Sequence, residues 1–419
     1  MSAAVRRSFD SLSVPNYRRY FAGQVVSLSG NWMQTVAEVW LILSLTGSGV
    51  AVGMTTALQF LPMLLFGAWG GLLADRLSKR KLLIGTQVAM AVPSLLLFAA
   101  CVSGAVTPLM VFALVFARGA VNAVDNPTRQ SFVMEMVGPD RVVNAISLNS
   151  VIVHSARIVG PAIAGILIAL VGVEPCFAIN AASFGVMVFA LWGMDPRGLH
   201  REPVAERAPK AIRAALHYVR RTPELAVPLA LMALVGTFGL NFQVVLPLLA
   251  RFEFGGSASA YAAMVCAMGV GSVVGALVTG SRNRTGPQVI AGASLAFGAC
   301  ALLAAGAPTL ALALPVLAVM GGAAVTFAAA INSSLQLAVE PEMRGRVMAL
   351  YSVVFLGSNP IGGPLVGWIS EAYDPRFALL LAAVAGISAA WAARASYARM
   401  RVRAAEDPHP LRAEVGQPV

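Results

Sequence analysis

Apolar runs of roughly 20 residues recur along the whole chain, and each is long enough to cross the ~30 Å hydrocarbon core of a bilayer. Hydrophobic residues make up 58% of the 419 residues and charged residues only 12%, about half the charged fraction of a soluble domain. This composition excludes an ordinary water-soluble enzyme. Only helices and closed barrels satisfy their backbone groups in lipid, and the runs lack the alternating polar positions of a barrel strand. The sequence therefore predicts an all-α polytopic membrane protein.

Charge clusters and Gly, Pro and Ser residues divide the chain into twelve predicted transmembrane helices. The first six cover residues 20–45, 50–74, 82–102, 108–126, 143–171 and 175–194, and the second six cover residues 223–250, 257–280, 288–306, 309–336, 347–370 and 377–396. Residues 195–222 contain seven Lys and Arg residues and no apolar run of spanning length. We therefore predict a six-helix lobe at 1–194, a cytoplasmic linker at 195–222 with an amphipathic helix near 211–219, and a six-helix lobe at 223–419 that ends in a basic cytoplasmic tail.

Positive charge falls almost entirely on one side of the predicted spans. In the loops and termini, 26 Lys and Arg residues lie on the side of the N-terminus and only Arg251 and Arg376 on the other side. Because cytoplasmic loops retain Lys and Arg, both termini and the linker are predicted to be cytoplasmic, in a bacterial inner membrane. Arg18 and Arg19 lead into a full-length span, so we expect no cleavable signal peptide. The net charge of +11 is spread over short loops and does not indicate a nucleic-acid partner.

An internal repeat supports the division into six plus six helices. At an offset of 202 residues, Gly160 and Gly165 match Gly362 and Gly367, and at an offset of 205 Gly70 matches Gly275. A six-helix unit begins and ends on the same side of the membrane, so two copies are parallel repeats about an axis along the membrane normal. This is the architecture of a two-lobed transporter.

Four ionisable residues fall inside predicted spans: Glu38, Arg118, His154 and Arg157. Each costs at least ~2.5 to 3.5 kcal/mol at mid-bilayer unless it is paired or hydrated, which makes each a functional candidate. Glu38 lies about 12 Å and Arg118 about 15 Å from the outer ends of their helices, so the two can meet. We predict that Glu38 carries the coupling proton with Arg118 as its partner, and that His154 is the reserve candidate. The alternative is a static buried pair that only orders the bundle.

The second half contains uncharged polar groups within its spans. Asn241 and Gln243 of the seventh span are candidates for a substrate cavity, although such groups also hold helices together by hydrogen bonds. Asn332, Ser333, Ser334 and Gln336 lie near the cytoplasmic end of the tenth span, where the packing interpretation is favoured.

The loop between the second and third spans carries the most specific motif. Its sequence, Gly71-Leu-Leu-Ala-Asp75-Arg76-Leu77-Ser78-Lys79-Arg80, closely resembles the signature loop of the major facilitator superfamily, with Ser78 in place of the second glycine. The resemblance implies that Gly71, Asp75, Arg76, Lys79 and Arg80 form a cytoplasmic gate motif that latches onto the end of the fourth helix. Asp125 is the matching candidate there. By itself, a charged turn of this kind could merely anchor the topology. The equivalent loop at residues 280–284 has lost the acid, so only one such latch is expected.

Two further stretches support the resemblance. Phe116-Ala-Arg118-Gly119 resembles the fourth-helix arginine motif of the superfamily, and Gly160, Pro161 and Gly165 resemble its antiporter motif in the fifth helix. Asn31-Trp32 in the first span and Pro127-Thr-Arg129-Gln after the fourth look most like the branch of the enterobactin exporter and related drug antiporters. The resemblance implies the major facilitator fold and proton-coupled transport.

Several chemistries find no support in the sequence. It contains no GxxxxGK[ST] phosphate loop and no His-Glu-x-x-His motif, and its four cysteines lack the spacing of a metal site. We therefore predict a transporter that is not an enzyme and uses no cofactor or metal. It would act as a functional monomer in the bilayer, exporting a small amphipathic molecule, drug-like or siderophore-like, by alternating access driven by protons. The alternatives are lysolipid flipping and a non-transporting receptor or scaffold of transporter descent.

Overall fold

The computed structural model describes residues 9–200, 211–282 and 286–406. Over these ranges the chain forms fourteen α-helices, with three short 3-10 turns and no strand. The helices of the first half are α1 (Pro15–Thr46), α2 (Gly49–Arg76), α3 (Lys79–Val102), α4 (Pro108–Val137), α5 (Val142–Val171) and α6 (Glu174–Trp192). Those that follow are α7 (Ala211–Arg221), α8 (Pro223–Phe238), α9 (Phe242–Phe252), α10 (Ala258–Arg282), α11 (Pro287–Ala305), α12 (Leu310–Ala338), α13 (Arg344–Ala372) and α14 (Pro375–Glu406).

Proline and glycine set several of these helix ends. Helices α1, α4, α8 and α11 begin at a proline, which fits the first turn because the N–H that it lacks would have no partner there. Helix α1 is capped at its C-terminus by Gly47 in the left-handed conformation, with φ of 63°, where a residue without a Cβ is favoured. The Ser48 side chain then caps α2 by accepting a hydrogen bond from the Ala51 amide at 3.2 Å.

Eleven helical segments in the described part of the chain are long and apolar enough to cross a membrane. Helices α8 and α9 together form one of them, Pro223–Phe252. Helix α1 completes the predicted twelve at 32 residues but does not meet this hydropathy criterion. Polar residues such as Gln24, Gln34 and Glu38 lower its mean hydropathy, and all three side chains are buried within the bundle.

The helices differ from the predicted spans at two places. The fourth span was expected to end at residue 126, but α4 continues through Pro127 to Val137. A proline inside a helix lacks the N–H that would bond the carbonyl four residues earlier, here that of Ala123. The Thr128 hydroxyl donates to the adjacent Val124 carbonyl at 2.6 Å, and local bonds of this kind let transmembrane helices continue through proline. The seventh span was expected to be continuous, but it breaks between Phe238 and Phe242. The expected linker helix is present as α7, while residues 201–210 of the linker and 407–419 of the basic tail lie outside the described residues.

The helices pack in two equivalent sets of six spans. In the first set, α1 packs against α5 and α6, α2 against α4, and α3 against α4 and α6. In the second set, the seventh span packs through α8 against α13 and α14, α10 packs against α12, and α11 against α12 and α14. Each contact in one set has its counterpart in the other, as parallel repeats require. The all-α, two-lobed fold predicted from the sequence is confirmed.

The two lobes meet along two seams, which the same repeat relates to each other. In one seam α2 packs against α13, and in the other α5 packs against α10. Glycines allow the backbones to touch. A Cβ on Gly53 would overlap the Gly363 carbonyl, and a Cβ on Gly165 would overlap the Ala262 side chain. These contacts lie toward the end of the bundle that holds residues 47–48 and 172–173, which we call the distal end.

Candidate functional site

The structure brings Glu38 and Arg118 together inside the first lobe. Arg118 on α4 donates from Nη2 to Glu38 Oε2 on α1 at 2.5 Å. Both residues are buried, with 1% of Glu38 and 5% of Arg118 exposed. The depth estimate from the sequence therefore identified a pair that forms. A buried ion pair of this kind holds its two charges only while both partners are present and ionised.

A network of neutral side chains extends from Glu38 across the lobe. Gln34, one turn before Glu38, donates to Glu38 Oε1 at 2.8 Å. The Gln34 carbonyl oxygen in turn accepts bonds from Ser94 on α3 at 2.7 Å and Asn180 on α6 at 2.5 Å. Sequence reasoning missed Gln34, Ser94 and Asn180, although Gln34 lies four residues from Glu38 and on the same face of α1. The network joins four helices and orients the carboxylate toward Arg118.

One donor of this cluster has no acceptor. The Nε–H of Arg118 is buried and has no hydrogen-bond partner in the structure. A buried unsatisfied donor is costly, so any arrangement that supplies an acceptor to this N–H would stabilise Arg118.

His154 and Arg157 form a separate cluster, so the four ionisable residues expected from the sequence divide into two sites. The Arg157 guanidinium lies over the Trp32 ring, 5.0 Å from its centroid. The His154 Nδ1 and Arg157 Nε atoms are buried without a hydrogen-bond partner. This cluster joins α5 to α1, whereas the Glu38 cluster joins α1 to α4.

The glycines of the antiporter-like motif set the spacing of α5. A Cβ on Gly160 would lie 2.6 Å from the Ser29 carbonyl oxygen and 2.7 Å from the Trp32 Cβ, both on α1. Gly165, one turn and a half further along, faces Ala262 on α10 of the other lobe. Pro161 lies between them, inside α5. The motif thus places α5 in close contact with its own lobe and with the opposite lobe.

The gate-motif loop is tied down at the end of the bundle opposite the distal end. Gly71 is buried, and α2 continues through Asp75 to Arg76 before α3 begins at Lys79. The Lys79 ammonium pairs with Glu135 in the last turn of α4 at 2.5 Å. Arg80 donates to the Leu191 and Trp192 carbonyl oxygens at the end of α6, both at 2.7 Å. The loop is therefore latched to the ends of two helices.

The partner of this latch differs from the expected one. Asp125 was the expected acid on the fourth helix, but the structure pairs it with Arg129, one turn further along α4. Asp125 also accepts hydrogen bonds from Thr86 at 2.6 Å and Gln87 at 2.8 Å on α3. The acid that reaches the loop is Glu135, which lies ten residues later. Sequence reasoning missed it because it ended the fourth span at residue 126.

Further polar groups lie at the break in the seventh span. Asn241 follows the break and donates from Nδ2 to the Thr237 carbonyl at 2.7 Å, replacing a bond that the helix has lost. Asn241 Oδ1 and Gln243 Oε1 are buried with no partner. Discontinuous helices with free polar groups are used by membrane transporters at substrate sites. Of the polar group near the end of the tenth span, Ser334 Oγ is also unpartnered, while Gln336 bonds Asn332 at 2.5 Å.

Among the described residues, no group of three or more His, Cys, Asp or Glu side chains is placed to hold a metal ion. The four cysteines are free thiols, two of them buried and two half-buried.

Comparison with known proteins covers almost the entire chain. A family model described as transmembrane secretion effector matches residues 7–417. Among curated relatives, the enterobactin exporter of Citrobacter koseri is 22% identical over 86% of each chain. The macrolide efflux protein A of Streptococcus pyogenes is 22% identical over 82% of this chain and 86% of its own length. The staphyloferrin A transporter of Staphylococcus aureus is 23% identical over 62% of this chain, and the match spans only 65% of that transporter.

Solved structures share the fold. The nucleoside transporter NupG superposes with a TM-score of 0.73 at 16% identity, covering 91% of this chain and 99% of its own. A bacterial homologue of the human lysosomal transporter Spinster, in an inward-facing and unoccupied conformation, superposes with a TM-score of 0.69 at 16% identity, covering 93% and 96%.

Proposed function

This chain belongs to the transmembrane secretion effector family of major facilitator transporters, and we propose that it exports a small amphipathic molecule from the bacterial cytoplasm in exchange for protons. Relatives named for enterobactin export and macrolide efflux support the direction of transport. The proposed setting is the inner membrane, with both termini cytoplasmic and one chain as the working unit. The proposed substrate is drug-like or siderophore-like.

The buried Glu38–Arg118 pair is the observation that carries this proposal. Protonation of Glu38 removes one of two charges that lie 2.5 Å apart in an apolar lobe, and it leaves Arg118 uncompensated. Burial of an unpaired cation is unfavourable, so the lobe must rearrange or hydrate when the proton binds. Conversely, a conformation that separates the two groups changes the affinity of Glu38 for a proton. This reciprocity is the thermodynamic content of coupling.

The seams between the lobes support alternating access. The α2–α13 and α5–α10 seams are close-packed through glycine near the distal end. A transporter with a central substrate site must open such seams on one side while it closes the other. Because the contact residues of each seam are small, the lobes can separate as rigid bodies without unfolding a helix.

Coupling at Glu38 is tested with everted membrane vesicles, in which respiration acidifies the interior and a quenched acridine dye reports the pH gradient. Addition of a transported compound should release protons and restore fluorescence, and a panel of macrolides and catecholate siderophores supplies the compounds. The active compound is then measured in proteoliposomes in two ways: accumulation driven by a pH gradient, and counterflow between equal concentrations. We expect the Glu38→Gln variant to retain counterflow and to lose accumulation.

Glu253→Gln is the matched control. Glu253 also pairs with an arginine, Arg376, at 2.7 Å, but it lies at the distal end outside the buried network, so both assays should remain at wild-type levels. If Glu38→Gln still accumulates substrate with the wild-type dependence on the pH gradient, Glu38 is structural and coupling passes to His154 or Asp125. If no compound of the panel discharges the pH gradient but one of them still binds to the purified protein, the protein is a receptor or scaffold instead.

A further inference from the structure

Among the described residues, Arg157 is the one charged side chain near the middle of a span that forms no ion pair. Arg118 pairs with Glu38 and Arg129 with Asp125, whereas none of the described carboxylates forms an ion pair with Arg157. Its Nε–H is buried without an acceptor. An unpaired cation at such a depth is costly, so it is expected either to be hydrated or to bind an anion.

The depth of Arg157 places it far from both lipid headgroup regions. It follows Val142 by fifteen residues and precedes Val171 by fourteen, within the 30 residues of α5. At 1.5 Å per residue the guanidinium-bearing position is about 21 Å from either end of the helix. Trp32 lies equally centrally in α1. Headgroup phosphates of the bilayer therefore do not supply the missing counter-ion in the structure as it stands.

The second lobe does not supply it either. The carboxylates described there lie at the ends of helices or in connecting loops: Glu224, Glu253, Glu340, Glu342, Glu371 and Asp374. The part of α10 that faces Arg157 contributes Gly269, whose Cβ would lie 3.5 Å from the Arg157 carbonyl oxygen. Nearby, the Cys266 thiol donates to the Ile158 carbonyl at 3.3 Å. Closing one lobe on the other therefore brings only uncharged groups toward the guanidinium.

The geometry prepares Arg157 for an oxyanion. Trp32 packs against the guanidinium in a cation–π contact, and the buried Nε–H of Arg157 has no hydrogen-bond partner. His154, three residues earlier and on the same face of α5, offers a second buried nitrogen without a partner. A guanidinium fork binds carboxylates, sulfonates and phosphates through two parallel hydrogen bonds.

We propose that Arg157, held against Trp32 with His154 one turn away, binds an anionic group of the transported molecule at the seam between the lobes. The substrate class is then an amphipathic organic anion, with a carboxylate, sulfonate or phosphate group. This assignment rests on the proposed transport function and adds to it the chemistry of the cargo.

The test is equilibrium binding of tritiated 2-naphthoate to the purified protein in phosphatidylcholine nanodiscs. Unlabelled 2-naphthalenesulfonate and 2-naphthyl phosphate should compete, while 2-naphthamide and the 2-naphthyltrimethylammonium ion should compete at least tenfold more weakly. Arg157→Gln should weaken naphthoate binding by about 30-fold or more, as loss of one partner of a buried charge contact does. Arg157→Lys should recover part of the affinity, because the charge remains but the fork is lost. Arg220→Gln, which removes an exposed arginine from α7, is the control and should bind as the wild type does.

Trp32→Leu provides a second variant if Arg157→Gln is not monodisperse, and it should weaken binding severalfold with the arginine still present. The proposal is overturned if none of the three anions binds, if the amide or the cation binds as well as naphthoate, or if the preference survives in Arg157→Gln. It is also overturned if phosphatidylglycerol in the nanodisc displaces naphthoate completely in the wild type, since the ligand of Arg157 would then be a lipid.

The outcome is separable from that of the transport proposal. Anion binding that depends on Arg157, without any proton-driven accumulation, would refute the proposed export function and support the anion site. Proton-driven export of a neutral or cationic compound that is unaffected by Arg157→Gln would support the proposed export function and refute the anion site.

Discussion

Gly53 on α2 and Gly363 on α13 lie so close that a Cβ on either glycine would come within 3.0 Å of the carbonyl oxygen of the other. The two residues belong to different lobes, and Gly49 and Gly367 repeat the contact one turn nearer to the distal end. The Glu371 carboxylate closes the same seam, accepting hydrogen bonds from the Ser48 hydroxyl at 2.6 Å and the Val50 amide at 2.9 Å. This seam is therefore closed in the structure by backbone contact and by a carboxylate cap on α2.

Gly53→Ala should shift the protein toward a state in which the distal seam is open. Overpacking costs about 1 to 3 kcal/mol, which lowers the ratio of closed to open molecules by about 5-fold to 160-fold. The measurement is the labelling rate of a Leu248→Cys reporter, which is buried beside Gly49, with a membrane-impermeant maleimide. Gly85→Ala on α3, where a Cβ meets nothing within 4 Å, should label at the unmodified rate. Equal rates for the two variants would show that the seam does not control opening.

Arg118→Met and Glu38→Gln should each destabilise the protein, because each substitution leaves the other partner of a buried ion pair uncompensated. Breaking a buried pair in this way costs about 3 to 5 kcal/mol. The double variant should recover much of the loss, because neither charge then remains unpaired. Thermal unfolding of the four proteins in detergent gives the coupling energy, and additive effects of the two substitutions would mean that the pair contributes nothing.

Asp75→Asn should slow turnover more than it weakens binding. Asp75 lies in the last turn of α2 beside Arg76, Lys79 and Arg80, where loss of its charge should change the balance between open and closed states of the gate. Turnover should fall at least about fivefold, the lower limit of typical coupling energies, while the affinity for substrate stays within twofold. Asp140→Asn, in an exposed turn at the same end of the bundle, is the control. Poor binding combined with a normal rate for bound substrate would contradict the gate assignment.

Reporter fusions should place the C-terminus and the α3–α4 loop on opposite sides of the membrane. The basis is the distribution of Lys and Arg between loops, 26 on one side and two on the other. A fluorescent protein fused after Val419 should be fluorescent, and an alkaline phosphatase inserted at residues 104–107 should be active. A fluorescent C-terminal fusion combined with an inactive phosphatase would place both positions on the cytoplasmic side and would require a different number of spans.

The sequence predicted the span positions and the Glu38–Arg118 contact because both depend on distance along a helix axis. A rise of 1.5 Å per residue converts sequence position into depth, and two groups at similar depth on neighbouring helices can meet. The same reasoning did not identify Gln34, Ser94 and Asn180 as partners. Their contacts depend on how each helix is rotated about its axis, which packing between helices determines.

The partner of Lys79 was missed for a related reason. The predicted fourth span ends at residue 126 and leaves Glu135 outside it, whereas α4 continues to Val137 and carries Glu135 to the α2–α3 connection. Similarly, nothing in the apolar pattern of the seventh span indicates that the helix breaks before Asn241. Its main-chain hydrogen bonds are replaced by a side chain, and hydropathy does not record such an exchange.

The ion pairs described inside the spans, Arg118 with Glu38 and Arg129 with Asp125, both lie in the first lobe. A substitution there risks stranding a charge in a dry interior, so only a few amino acids are acceptable at those positions. In the second lobe, an exchange of one apolar residue for another changes shape and volume at a cost of about 1 to 3 kcal/mol. The two halves of the gene therefore differ in mutational tolerance. Libraries restricted to residues 223–399 should yield many more folded variants than equally diverse libraries of the first lobe, and laboratory evolution of a new cargo should begin in the second half.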